Sequence, residues 1–246
     1  MGNHHSQERL DYLPGKKRFI YQRRDIFSFS MDAVLLAKFT KVPKEHGRMV
    51  DLCTGNGAIP LLLSLRTKAK IDAVEIQETL YELARKSVVY NRLEEQIHVI
   101  HQNILELNGE VQWGSYDVVT CNPPYFAVTS LHSKNNNEKV SYARHEIACT
   151  LEDVLRISSR LVKQTGRIAL VHRPERLAEI FSLMKKYRLE PKRIQFVHPK
   201  RQREANMVLV EGVRGGKSGL KTLPPFFVYG EGHDYTEEFK AHYEGW

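Results

Sequence analysis

The sequence predicts an α/β fold: a doubly wound, mostly parallel seven-stranded sheet with helices on both faces and its last strand antiparallel. Three observations predict it. Short apolar segments alternate with helix-like ones through the middle of the chain. Four successive strand-like segments end in polar or glycine-rich turns, the end of such a sheet where ligands bind. The two final strand-like segments, Arg193 to His198 and Met207 to Val213, are close enough in sequence to pair antiparallel.

The elements follow in order. Val50 to Leu52 is a strand end running into Thr54-Gly55-Asn56-Gly57. Ala58 to Thr67 is apolar and helical in character, with Pro60 tolerable in the first turn. Ile71 to Glu75 is a second strand. Gln77 to Arg92 reads as a helix with Leu80, Leu83, Ala84 and Val88 on one face. Ile97 to His101 and Tyr116 to Cys121 are strands three and four. Thr150 caps a helix to about Gln164, closed by Gly166. Arg167 to His172 is the fifth strand, and Pro174 opens a helix to about Tyr187. Residues 48–215 form the expected main domain, with 1–47 an N-terminal extension and 216–246 a tail packing on the domain.

Composition sets the bounds. The chain of 246 residues is 41% hydrophobic and 27% charged, an ordinary globular balance that excludes collagen, disordered and small disulfide-scaffold classes. Arg66 stops the longest apolar run, Ala58 to Leu65, far short of a membrane span. The polar start has no secretory core, and the three cysteines are sparse and odd in number. A reduced cytoplasmic protein is expected. Neither the histidines nor the cysteines show zinc spacing, so no metal is expected, and Cys53 and Cys121 read as neighbouring small thiols.

The formal charge is +8. Lys16, Lys17, Arg18, Arg23 and Arg24 cluster without an acid among them, interleaved with Phe19 and Tyr21. A second cluster runs from Lys185 to Arg203 and includes Arg201 and Arg203. Any one of these residues reads as solvated surface; together they read as a phosphate-backbone footprint.

The chemistry lies at the strand ends. Gly55 and Gly57 permit a sharp turn and close ligand approach. Glu75 closes the next strand, where an acid can accept hydrogen bonds from two ribose hydroxyls. Loop and acid together point to a bound adenosine moiety. Cys53 breaks the full G-x-G-x-x-G pattern, which a cofactor without a pyrophosphate tolerates better than NAD, although NAD stays open here. Asn103 could accept from an adenine amine through its side-chain oxygen, or serve as a turn or cap residue.

Asn122-Pro123-Pro124-Tyr125 follows the fourth strand. Two prolines remove two donors, so the stretch offers carbonyls, and Asn122 adds an amide oxygen. That acceptor-rich rim suits an exocyclic amine with its two N–H donors, and Tyr125 can stack on a base.

At these residues a resemblance appears. N-P-P-Y downstream of a D-x-x-x-G-x-G loop and a strand-end acid resembles the S-adenosylmethionine-dependent amino-methyltransferases. Four stretches are similar to the bacterial tRNA(valine) adenine-N6 methyltransferase family: Asp51 to Pro60, Ala143 to Glu146, Leu170 to Leu177 and Glu204 to Val210. So is Phe27 to Ala33, and the resemblance runs from about Asp11 to Tyr243. It implies a class I, Rossmann-like methyltransferase fold, S-adenosyl-L-methionine as cofactor and tRNA as partner.

Residue by residue, the resemblance gives Asp51, Thr54, Gly55, Asn56, Gly57 and Glu75 the methionyl and ribose parts of the cofactor, with Ile76 also in the cofactor site. Asn103 and Ile104 would face its adenine, with Phe29, Ser30 and Asp32 as an upstream wall. Asn122, Pro123 and Tyr125 would hold the target adenine. Pro124, Phe126 and Arg144 would border it, and Lys16, Lys17, Arg18, Arg23, Arg24, Arg201 and Arg203 would meet RNA. Asn103 stands where the family usually carries an acid. N-P-P-Y also serves methyltransferases of guanine N2, DNA adenine and protein glutamine. The short basic segment ahead of Asp51 speaks against the protein-glutamine class, and the short stretch after the last strand against a DNA enzyme.

Overall fold

The computed structural model describes residues 8–23, 25, 26, 28–123 and 149–246. It begins with an antiparallel hairpin, β1 (Glu8–Tyr12) and β2 (Phe19–Arg23), that the sequence reading did not anticipate. Helix α1 (Met31–Phe39) follows. The alternating core is then β3 (Arg48–Leu52), α2 (Ala58–Leu63), β4 (Lys70–Glu75), α3 (Glu78–Tyr90), β5 (Ile97–His101) and β6 (Tyr116–Cys121). After residue 149 come α4 (Leu151–Leu161), β7 (Val162–His172), α5 (Leu177–Lys186), β8 (Leu189–His198) and β9 (Met207–Arg214). Two short strands, β10 (Lys221–Thr222) and β11 (Phe226–Phe227), and helix α6 (Glu237–Glu244) complete the described chain.

The central sheet has the order β5-β4-β3-β6-β7-β9-β8. Every neighbour is parallel except β9, which runs antiparallel to both β7 and β8. These are the seven expected strands. β10 and β11 add to the outer edge of β8, each parallel to it. From β3 the chain winds one way to β4 and β5, then crosses back to lay β6 and β7 on the other side. The reversal falls between β3 and β6, and such a switch point opens a crevice beyond the strand ends.

Both sheet faces are covered. One carries α1, α2, α3 and α6, with Leu36, Leu61, Leu62, Ile71 and Phe239 in its core. The other carries α4 and α5, with Val50, Val74, Val154, Leu155, Ile180 and Met184. All six residues of α2 are buried, because α1 covers the side that the sheet leaves open. Glu211 is one of the charged side chains buried in this interior. It accepts from Arg167 Nη1 and Arg193 Nη1, each at 2.9 Å, so its charge is balanced on both sides.

Several boundaries depart from expectation: α2 ends at Leu63 rather than Thr67, β8 begins at Leu189 rather than Arg193, and the largest change follows α4. Helix α4 starts at the predicted cap, Thr150. Its Oγ1 accepts from Asp153 N–H at 3.1 Å while Asp153 Oδ2 accepts from Thr150 N–H at 3.2 Å. The helix ends at Leu161, and the chain passes directly into β7. The residues up to Gly166 join the strand through an irregularity, with Thr165 left-handed at φ 64°, between the Tyr116↔Val162 and Val118↔Arg167 pairings.

Candidate active site

Register brings the strand-end motifs into one row. Leu52 lies opposite Val74 on one side and Cys121 on the other, and Glu75 lies opposite His101. The loop after β3, the acid ending β4, the turn after β5 and Asn122 after β6 therefore share one rim of the sheet.

The loop is folded around two carboxylates. Asp51, with no exposed surface, accepts from Thr54 Oγ1 at 2.5 Å and from Thr120 Oγ1 at 2.6 Å, tying β3 to β6. Both oxygens are engaged inside the protein, so Asp51 acts by shaping the loop. Burial pushes its carboxyl up to about 7, with Glu75 adding to the rise and the two threonine hydrogen bonds opposing it. Glu75 reaches back to the same loop. Its Oε2 accepts from Gly55 N–H at 2.8 Å and its Oε1 from Gln77 N–H at 2.9 Å. Two backbone donors fix the carboxylate and leave lone pairs for further hydroxyl donors.

Three consecutive bends carry the loop through left-handed backbone, Cys53 at φ 56°, Gly55 at 59° and Gly57 at 86°. A side chain on Gly55 would meet open space, whereas one on Gly57 would press on Ala84 of α3 at 3.2 Å. Gly57 thus lets the loop dock on α3, and Gly55 borders a free cradle. Asn56 Nδ2 and Ser30 Oγ are buried and have no hydrogen-bond partner among the described residues. Open space beside Gly55, an anchored carboxylate and unspent polar atoms fit a nucleoside-type cofactor.

Upstream of α1, Gln22 Oε1 accepts from Phe29 N–H at 2.9 Å. Ser30 and Asp32 then open α1, which packs on α2, the helix leaving the loop. Ile76 is 41% exposed beside Glu75, an apolar surface on the rim, while Ile104 is buried. Asn103 Oδ1 accepts from Leu105 N–H at 3.0 Å, capping a single helical turn. The cap role open in the sequence is realised.

Asn122 is half-buried and Pro123 buried at the end of β6. Pro124, Tyr125, Phe126 and Arg144 lie outside the described residues, as does Arg24. The basic candidates divide. Arg201 and Arg203 are exposed in the β8–β9 connection, which stands at the same end of the sheet as the loop, and the Arg201 guanidinium lies over the Phe227 ring. Arg23 pairs with Asp25. Lys16, Lys17 and Arg18 sit elsewhere: Arg18 Nε donates to Ser64 Oγ at 3.0 Å, at the end of α2 away from the loop, and Lys17 Nζ donates to the Trp246 carbonyl.

Sequence reasoning missed two features. Cys149 joins the expected thiols, its Sγ 3.9 Å from Cys53 Sγ. All three cysteines are free. Thiol–thiol hydrogen bonding and burial push Cys53 and Cys149 up, and burial raises Cys121, so the cluster is neutral and a poor nucleophile. His172, ending β7 on the same rim, is fully buried and lowered to about 4, chiefly by burial. Its Nδ1 accepts from Arg173 N–H at 2.8 Å, while Arg173 Nη1 holds the Asn206 carbonyl at 3.0 Å. The quoted stretch Leu170 to Leu177 contained both residues, but nothing in it separates a rim histidine from a core one.

Comparison with known proteins gives the family and the fold. A family model described as methyltransferase small domain matches residues 25–175. A tRNA1(Val) (adenine(37)-N6)-methyltransferase of Parabacteroides distasonis is 30% identical over 94% of each chain. One of the same name from Flavobacterium psychrophilum is 25% identical, covering 92% of this chain and 94% of its own. Among solved structures, a predicted O-methyltransferase from Agrobacterium tumefaciens superposes with a TM-score of 0.69 at 24% identity, over 87% of this chain and 96% of that one. A geranyl diphosphate C-methyltransferase from Streptomyces coelicolor, solved with S-adenosyl-L-homocysteine, gives 0.56 at 14% identity over 74% and 79%. These two likenesses speak for the class I fold. With the family match over more than half its length, the chain belongs to the methyltransferase small-domain family.

Proposed function

We propose that the protein transfers a methyl group from S-adenosyl-L-methionine to the exocyclic N6 of an adenine in tRNA, next to the anticodon of a valine tRNA. One observation carries the reading: the Gly55 loop with its Glu75 anchor and the Asn122-Pro123 turn stand side by side on one rim, at the switch point between β3 and β6. The relatives named for this reaction, similar over nearly the whole chain, support the substrate class. The setting would be the cytoplasm; no helix among the described residues is long and apolar enough to cross a membrane.

The cofactor, when bound, supplies an electrophilic sulfonium methyl. Glu75 would take the ribose hydroxyls, the Gly55 cradle the methionyl part, and Ile76 and Ile104 the adenine flank. Asn122 and the Pro123 carbonyl would accept the two N6 hydrogens. Holding both orients the amine lone pair, and the same acceptors bind more strongly as positive charge grows on nitrogen, which favours the transition state over the ground state. Alignment itself contributes up to ~7–11 kcal/mol in model systems. A strong base is unnecessary, because the methylated nitrogen is acidic before it loses its proton. The target base must leave its stack, which costs least in a loop.

The test is transfer from tritiated S-adenosyl-L-methionine to total tRNA lacking the modification, followed by nucleoside analysis. N6-methyladenosine is expected. Label in guanosine, or in protein alone, would overturn the substrate.

A further inference from the structure

We infer that the β1–β2 hairpin and the outer face of α3 form a second nucleobase site, which stacks unpaired nucleotides of the RNA substrate outside the reaction centre. The inference rests on the tRNA reading above and adds a surface to it.

An aromatic ladder runs along this side of the molecule. Tyr12 and Phe19 are cross-strand partners with ring centroids 4.5 Å apart. Phe19 meets Tyr90 of α3 edge-on at 5.0 Å, and Tyr90 meets Tyr21 at 5.9 Å. Tyr12 is 55% exposed, Tyr90 47% and the adjacent Val89 48%. Contiguous apolar surface of this kind on a helix that already buries its other face marks a binding site.

The rings are fixed in advance. Asn91 accepts from Phe19 N–H at 2.9 Å and donates to the Phe19 carbonyl at 2.7 Å, and buried Ser87 accepts from Tyr21 N–H at 2.9 Å. Helix α3 therefore dictates where the hairpin's rings stand. Beside them Tyr21, Arg85, Lys86, Val89 and Tyr90 line a recess of about 230 Å³.

Charge selects the occupant. The two charged residues lining the recess, Arg85 and Lys86, are both basic. Arg85 pairs with Glu82 at 2.9 Å and Lys86 with Glu8 at 2.8 Å. Arg85–Glu82 is an exposed pair that holds less than about 1 kcal/mol, so a phosphate can compete for Arg85, whereas Lys86–Glu8 is partly buried. Aromatic faces for bases with adjoining cations for the backbone are what single-stranded nucleic acid requires. Tyr90 is the last residue of α3, at the far end of the helix from Glu75, and the 13 residues span ~20 Å, a distance that nucleotides flanking a flipped base can bridge.

The experiment compares Tyr90→Ala, Tyr90→Phe and Arg85→Glu with the wild type, using unmodified tRNA at saturating S-adenosyl-L-methionine. Tyr90→Ala should raise KM and the tRNA Kd about tenfold, with kcat and the Kd for S-adenosyl-L-homocysteine unchanged. Tyr90→Phe should match the wild type, since it keeps the ring. Arg85→Glu, at an exposed position that does not bear on folding, should raise KM severalfold. Unchanged KM in both Tyr90→Ala and Arg85→Glu, with wild-type methylation of tRNA intact, overturns the stacking site alone. Variants that change the protein's mass in solution rather than KM would make the surface a protein interface and overturn it too. A wild-type protein that methylates no tRNA removes the underlying reading.

Discussion

Glu75 Oε2 accepts the Gly55 N–H at 2.8 Å, so the acid at the end of one strand holds the loop at the end of its neighbour. The carboxylate thereby has two tasks, shaping the loop and presenting oxygen to a ligand. Glu75→Gln keeps the size but loses the charge and offers an amide NH₂ to one of the two backbone donors. Hydrogen bonds to a charged group contribute ~1.5–3 kcal/mol. The variant should bind S-adenosyl-L-homocysteine about 10- to 100-fold more weakly by calorimetry. Wild-type affinity would remove Glu75 from the cofactor site.

Asn122→Ala should lower methyl transfer ~100-fold, equivalent to ~2.7 kcal/mol, with S-adenosyl-L-homocysteine affinity retained. Single-turnover rates on tRNA measure the first and calorimetry the second. Near-wild-type transfer would mean that the turn after β6 plays no part in the chemistry.

The two loop glycines should respond differently to alanine. At Gly57 a φ of 86° coincides with a 3.2 Å approach to Ala84, so Gly57→Ala should destabilise by ~1–3 kcal/mol. Gly55→Ala carries the strain of φ 59° but meets no atom within 4 Å, so it should cost less stability and act mainly on cofactor affinity. Urea unfolding of both variants checks the order; equal losses would contradict the packing role of Gly57.

Asp51 makes stability depend on pH. Its folded pKa of about 7 lies above the unfolded value near 3.9, so across that window the folded chain holds a proton that the unfolded chain releases. Its contribution is present at low pH and is lost as pH rises through 7, by on the order of 4 kcal/mol. Asp51→Asn removes the titration while keeping groups that can pair with both threonines. Unfolding free energies at pH 5 and pH 8 should fall for the wild type relative to the variant, and parallel curves would refute the assignment.

His172 titrates in the opposite sense. Its folded value of about 4 lies below the unfolded value near 6.5, so its contribution is present above pH 6.5 and is lost as pH falls towards 4. Because Nδ1 accepts from Arg173 N–H, the neutral ring carries its proton on Nε2. The imidazole NMR signal of His172 should stay flat from pH 8 to 5. A midpoint near 6.5 would show a ring open to water.

Much of this arrangement was legible in the sequence because it is local. The seven core strands came from short apolar runs, and the cap at Thr150 from a capping residue type ahead of a helical stretch. The row of Gly55, Glu75, Asn103 and Asn122 followed from each motif standing at a strand's end. What escaped depends on contacts between distant segments. Tyr12, Phe19, Tyr21 and Tyr90 become one ladder only when Ser87 and Asn91 capture the hairpin. Cys149 reaches Cys53 across 96 positions. Lys16 to Arg18 read as one phosphate footprint with Arg23, yet the fold ties Arg18 to Ser64 and Lys17 to Trp246.

The clasp between Thr120 and Asp51 joins residues 69 positions apart in the chain. Contacts that distant form late, after the entropy of closing the intervening segment has been overcome. A nascent or partly refolded molecule can complete β3, α2 and β4 and still lack the crevice. Any small molecule that occupies the crevice selects the finished topology over those precursors, so its presence during refolding should raise the yield of native protein.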